Sequence, residues 1–232
     1  MNLQKKALLL VAILAALIGI GLAVLPSLER QRLDEGQAAL LQHIEKGGGA
    51  VKLPDIAAKI LVTDYDEPEG EDVIPLAATP EPAEHTPEAE QTTPVSGEIA
   101  GIGILTIPRI DAKLPVTAGV TEEQLKMSEG WVTQSAPIGG EGNAVIAGHR
   151  SYTYGRHFNR LGELEAGDEI RYTKADGEDM TFLVSEILTI EPGDPATFAA
   201  PLEGMAQLTL YTCTPVRTAT HRLLVRALRV LE

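Results

Sequence analysis

From residue 99 onward the chain alternates short apolar runs with turn residues, and the runs have the length and β-branched content of strands. Strands are predicted at 103–107, 113–117, 143–148, 169–173, 179–190, 207–213 and 223–231. Pro108, Gly139-Gly140, Gly167-Asp168, Asp176-Gly177 and Pro192-Gly193-Asp194-Pro195 punctuate them. Two stretches have a helical reading. At 121–127, Thr121 is a usable N-cap followed by Glu122, Glu123 and Gln124 in the first turn. The second is 154–164. Many strands at short spacing with few helices predict an all-β domain with short helices, closed or partly closed into a barrel. There is no internal repeat.

The first 98 residues have a different texture. Residues 7–25 contain no charge, and as a helix nineteen residues span roughly 28 Å, about the hydrocarbon thickness of a bilayer. Lys5 and Lys6 precede them, so residues 1–6 are expected in the cytoplasm and everything after the span outside. A cleaved signal peptide is the alternative; the apolar run is longer than a usual h-region. Residues 29–46 place Leu33, Leu40, Leu41 and Ile44 at near-helical spacing, which fits a short helix or a solvated stalk, and Gly47-Gly48-Gly49 ends it. Residues 64–98 hold eleven acidic and no Lys or Arg side chains, with prolines at 68, 75, 80, 82, 87 and 94. Such a stretch has little to bury and its charges repel, so a disordered linker holding the domain off the membrane is expected. Part of it, around 63–71, is a candidate lid. The expected division is 1–6 cytoplasmic, 7–25 anchor, 26–98 stalk and linker, and 99–232 catalytic domain.

The formal charge of −14 argues against nucleic acid as a partner. Residues 1–98 hold 7 basic and 16 acidic side chains and residues 99–232 hold 12 and 17, so most of the excess acid lies outside the predicted barrel. Cys213 is the only cysteine, which rules out an intramolecular disulfide and a Cys-based zinc site. It ends a predicted strand, as does His149 after Gly148, and Arg222 opens the last strand. Thiol, imidazole and guanidinium at adjacent strand ends would make a nucleophile, a proton shuttle and an oxyanion clamp. Each residue alone has a plainer explanation: a buried small hydrophobe, a structural imidazole, a salt-bridged arginine. A His-only metal site from His149, His157 and His221 is a weak further option.

Taken together, several stretches resemble the sortases, cysteine transpeptidases of Gram-positive surfaces. Thr209-Leu210-Tyr211-Thr212-Cys213 is similar to the TLxTC signature. The stretch 142–150, with Ala147-Gly148-His149-Arg150, resembles the family's histidine strand, and 151–161 the segment after it. Residues 103–115 resemble the first strands, and 220–226 the last strand with its arginine. The resemblance covers about 99–232 in the family's order. It implies a closed eight-stranded sortase β-barrel with Cys213, His149 and Arg222 as the catalytic trio and no cofactor or metal.

The activity implied is cleavage of an LPxTG-like sorting signal through a Cys213 thioacyl intermediate. His149 protonates the departing amine, Arg222 steadies the oxyanion, and an amine accepts the acyl group. The implied partners are surface proteins or pilins bearing the signal, and the acceptor is a peptidoglycan amine or a pilin lysine. The implied location is the cell membrane, single-pass, with the catalytic domain extracellular. The last strand is similar to that of classes C and D. The lid motif of class C, Asp-Pro-aromatic, is not matched by Asp64-Tyr65-Asp66-Glu67-Pro68, and the chain stops soon after its last strand, which favours a class D-like anchoring role over pilin polymerisation. The loop 191–204 is expected to line the substrate groove. A cysteine-protease-like hydrolase and a non-catalytic adhesion module are the alternatives.

Overall fold

The computed structural model describes residues 31, 33–47, 49–52 and 98–230. The candidate anchor at 7–25 and the candidate lid at 63–71 lie outside the described residues. Among those that are described, no helix is long and apolar enough to cross a membrane.

A helix, α1, covers 33–45. Strands follow at β1 Gly49–Lys52, β2 Glu98–Ile107, β3 Ala112–Ala118, β4 Glu129–Trp131, β5 Gly142–Ala147, β6 Glu169–Lys174, β7 Asp179–Ile190, β8 Ala206–Thr214 and β9 His221–Arg229. A one-turn helix, α2, covers Glu122–Leu125, and 3-10 turns lie at Pro108–Ile110, Leu161–Glu163 and Pro195–Phe198. The sheet order is β1-β2-β3-β4-β5-β8-β9-β7-β6, and β6 pairs back onto β2, so β2 to β9 close into an eight-stranded barrel. Closure leaves no long sheet edge among these strands.

The runs read from the sequence are strands because β5, β8 and β9 are covered on both faces. Ala144, Ile146, Leu208, Leu210, Val225 and Ala227 point inward to the barrel core. The alternate residues Val145, Ala147, Tyr211 and Leu224 point outward, yet they too are buried, in a second cluster with Leu188, Ile190 and Phe198. Two strands lack that signature. The short β4 is held by parallel pairing to β3 and antiparallel pairing to β5. β1 pairs with β2, Lys52 opposite Glu98.

α2 starts as its sequence suggests. Thr121 accepts from the Gln124 amide at 3.4 Å while the Gln124 side chain accepts from the Thr121 amide at 2.9 Å, a reciprocal capping box. The second predicted helix, 154–164, does not form. Gly155 and His157 take positive φ of 76° and 47°, and only Leu161–Glu163 is helical, as a single 3-10 turn. Phe158, Leu161 and Leu164 recur every third residue because each drops into the barrel core. That spacing imitates a helical stripe, and tertiary packing overrides it.

α1 is packed rather than solvated. Leu33, Leu40 and Ile44 form a cluster with Ile99, Ile104 and Met127 on the outer face of the barrel. Gly101 permits the approach, since a Cβ there would lie 2.7 Å from Ile44 Cδ1. Two ion pairs flank the cluster, Lys113–Glu45 at 2.6 Å and Arg156–Asp34 at 3.5 Å.

Candidate active site

Strand register alone brings the three candidate residues to one end of the barrel. β5 and β8 run parallel with Ala147 opposite Tyr211. Beyond that pair the Gly148 amide donates to the Tyr211 carbonyl at 3.1 Å, and the Thr212 hydroxyl donates to the Gly148 carbonyl at 2.8 Å. One further step puts His149 level with Cys213. β8 and β9 are antiparallel with Cys213 opposite Arg222. Neighbouring strands lie about 4.8 Å apart. Alternation then places Val145, Ala147 and His149, with Tyr211 and Cys213, and with Arg222 and Leu224, on one outward face. The trio sits at the end of a buried apolar cluster of Val145, Ala147, Tyr211 and Leu224 on that face.

Arg222 is almost fully buried, and its fork is held from two sides. Nε donates to the Tyr211 hydroxyl at 3.0 Å, and one Nη to the carbonyls of Ala219 at 2.9 Å and His221 at 3.1 Å. Ala219 has φ 48°, a turn conformation that aims its carbonyl back at the guanidinium. A planar donor group fixed in this way is suited to a developing oxyanion beside the half-buried Cys213 thiol.

The loop 191–205 covers this cluster, and buried polar groups pin it. Asn143 Nδ2 donates to the carbonyls of Thr197 at 3.2 Å and Ala199 at 3.1 Å, while its Oδ1 accepts from the Thr209 hydroxyl at 2.7 Å. Arg226 adds a bond to the Ala196 carbonyl at 2.6 Å. Phe198, carried by this loop, packs against the cluster.

Four ionisable side chains neighbour the trio. Arg150 follows His149 and bonds the Thr214 hydroxyl and the Asn159 carbonyl, both at 3.3 Å. Burial lowers its guanidinium from the ordinary arginine value, and the negative charge of a Cys213 thiolate opposes that shift. Glu122 on α2 is held below the usual carboxylate range chiefly by its bond to Lys126, 2.9 Å away, with a smaller contribution from His149. Glu129 and His157 form a buried pair, Oε1 to Nδ1 3.0 Å. The adjacency of Arg150 to His149 was visible in the sequence; the Glu129–His157 pairing depends on strand register and a loop turn that no local pattern encodes. The three-imidazole metal option does not assemble. His221 faces Glu191 at 3.3 Å, His157 faces Glu129, and among the described residues no three His, Cys, Asp or Glu side chains gather as metal ligands.

The family model described as the sortase domain matches residues 105–230. Sortase D of Bacillus subtilis is 31% identical over 140 residues, an alignment covering 59% of this chain and 67% of that protein. Sortase A of Streptococcus agalactiae is 27% identical over 130 residues, covering 54% of this chain and about half, 51%, of that protein. Among solved structures, sortase C1 of Streptococcus agalactiae superposes with a TM-score of 0.53 at 34% identity, over 57% of this chain and 68% of that one.

Proposed function

Because the chain belongs to the sortase family of cysteine transpeptidases, we propose that Cys213, His149 and Arg222 carry its reaction and that its substrate is an LPxTG-like sorting signal. The observation that carries this reading is the convergence of the three residues, by register, at one end of the barrel.

The steps follow from the groups present. The Cys213 thiolate adds to the carbonyl carbon of the signal's threonine, and Arg222 donates to the resulting oxyanion. Collapse breaks the peptide bond. His149, entering as imidazolium, gives its proton to the departing amine, leaving a thioester on Cys213. An acceptor amine then attacks the thioester, its proton passes to His149, and the thiolate is released. One amide replaces another, so neither an energy source nor a cofactor enters the balance. The pinned loop 191–205 forms one wall of the groove that takes such a signal.

The proposal extends to the N-terminal segment. Residues 7–25 serve as a single-pass anchor with the barrel outside the cell, where surface proteins bearing the signal and a peptidoglycan amine meet. Joining pilin subunits through a lysine is the second reading, favoured by the structural likeness to sortase C1.

The experiment is mass spectrometry of the full-length chain incubated with a panel of sorting peptides. The expected result is a thioacyl adduct on Cys213, lost in Cys213→Ala with thermal unfolding unchanged. Amine product formed by Cys213→Ala would overturn the assignment. An adduct whose breakdown is not accelerated by any added amine would mark a hydrolase instead.

A further inference from the structure

On the inner side of the His149 strand end lies a buried Glu–His pair that these steps do not use. Glu129 opens β4, its side chain wholly buried, and the His157 side chain is 2% exposed. Nδ1 of His157 bonds Oε1 of Glu129 at 3.0 Å. Oε2 of Glu129 and Nε2 of His157 have no hydrogen-bond partner among the described residues. The carboxylate is packed against Gly148, where an added Cβ would lie 2.7 Å from Glu129 Cδ. The loop returns so that the Phe158 amide donates to the His149 carbonyl at 3.0 Å. This seats the His157 ring edge-on to the His149 ring, centroids 6.3 Å apart and planes at 81°. Carboxylate, imidazole and His149 thus form a row running from the barrel interior to its outer face.

A buried carboxylate is costly, and apolar side chains of the same volume would fill this place without that cost. One oxygen is bonded to His157; the other faces the Gly148 backbone with no donor among the described residues. Negative charge at a dry site acts over several ångströms with little screening, and it favours a proton on a nearby imidazole. That is the form in which His149 enters the reaction, so the inference rests on the role proposed for His149 above.

We propose that Glu129, acting through His157, is the buried counter-charge of His149, and that the two are positioning residues which orient the catalytic imidazole and keep it protonated.

Other charges face His149: Glu122 and Lys126 from the α2 segment, Cys213 from β8 and Arg222 from β9. Arg150 adjoins it, and Arg156 of the His157 loop is paired with Asp34 of α1. Glu122 differs from Glu129 in being 60% exposed, so salt screens it.

The test follows the His149 ring by NMR through a pH titration of the full-length chain, with the resonance assigned from a His149→Asn spectrum, alongside the pH profile of kcat/KM for acyl transfer. Two variants are compared with the parent. Glu129→Gln keeps shape and bond but removes charge. The double variant Glu129→Leu/His157→Phe replaces the pair with apolar groups and guards against misfolding of the first. In both, His149 is expected to lose its proton at lower pH. The alkaline limb of the kcat/KM profile is expected to move the same way, costing about tenfold on that limb, at low and high salt alike. Glu122→Gln is expected to give a smaller displacement that vanishes in high salt. A His149 titration unchanged in both Glu129 variants, with activity merely scaled, overturns the proposal. Because the titration needs no substrate, it decides this point even if His149→Asn retains acyl transfer and so removes the catalytic role itself.

Discussion

Gly148→Ala is the most economical probe of how the site is built. One methyl group is added at the residue before His149, and it enters filled space. The new Cβ would overlap the Glu129 carboxylate, lying 2.7 Å from Cδ, and would stand 2.8 Å from Cδ2 of Phe158. Neither neighbour retreats easily, since Glu129 is tied to His157 and Phe158 is fully buried in the core. Overpacking of this kind costs about 2–3 kcal/mol. At about 2–4 °C per kcal/mol for a domain of this size, the unfolding temperature should fall by roughly 4–12 °C. The relief available is movement of the strand end that carries His149, and displacement of a catalytic group by about 1 Å costs on the order of 100-fold in rate. Calorimetry and kcat/KM for acyl transfer, each measured in the parent and in a Glu129→Ala background, make a double-mutant cycle. With the carboxylate gone, the added methyl should cost no more than half as much, a coupling of about 1 kcal/mol or more. Equal falls in unfolding temperature in the two backgrounds would refute the packing argument, and with it the placement of Glu129 against Gly148.

Two further substitutions test the surroundings. Asn143→Ala frees the Thr197 and Ala199 carbonyls and strands the Thr209 hydroxyl; about 1–3 kcal/mol of stability should be lost, and steady-state kinetics should show KM rising more than kcat falls as the loop 191–205 loosens. Leu40→Ala removes a fully buried side chain from the α1–β2 cluster; it should cost about 2–5 kcal/mol if α1 is integral to the folded unit, and an unchanged denaturation midpoint would mean that α1 is only loosely held.

The barrel was legible because its strands announce themselves. β5, β8 and β9 are covered on both faces, so each is a near-continuous apolar run with a chemically distinct residue at its end. His149, Cys213 and Arg222 could therefore be singled out before any coordinate. β4 could not, because Glu129–Trp131 is too short to alternate and exists only through its neighbours. The stretch 154–164 misled for the opposite reason: Phe158, Leu161 and Leu164 have helical spacing, but a turn through Gly155 and His157 delivers them to the core. The roles of Arg150, Glu129 and His157 were hidden because they depend on what lies across a strand pair or a loop.

The pairing of β1 with β2 bears on how far the active site can travel. Lys52 and Glu98 are opposite one another, so residues 53–97 leave the barrel and return to it at the same place. Forty-five residues that would reach well over 100 Å as an extended spacer contribute nothing to the distance between barrel and anchor. If residues 7–25 span the bilayer as proposed, the length available between the span and α1 is 26–32, at most about 25 Å when fully extended. The start of α1, and the barrel it packs on, would then be held in a shell of about that depth from the lipid surface. The acceptor amine would have to be presented within that shell rather than deep in a wall, and lengthening 53–97 would leave the shell unchanged while a few residues added at 26–32 would widen it.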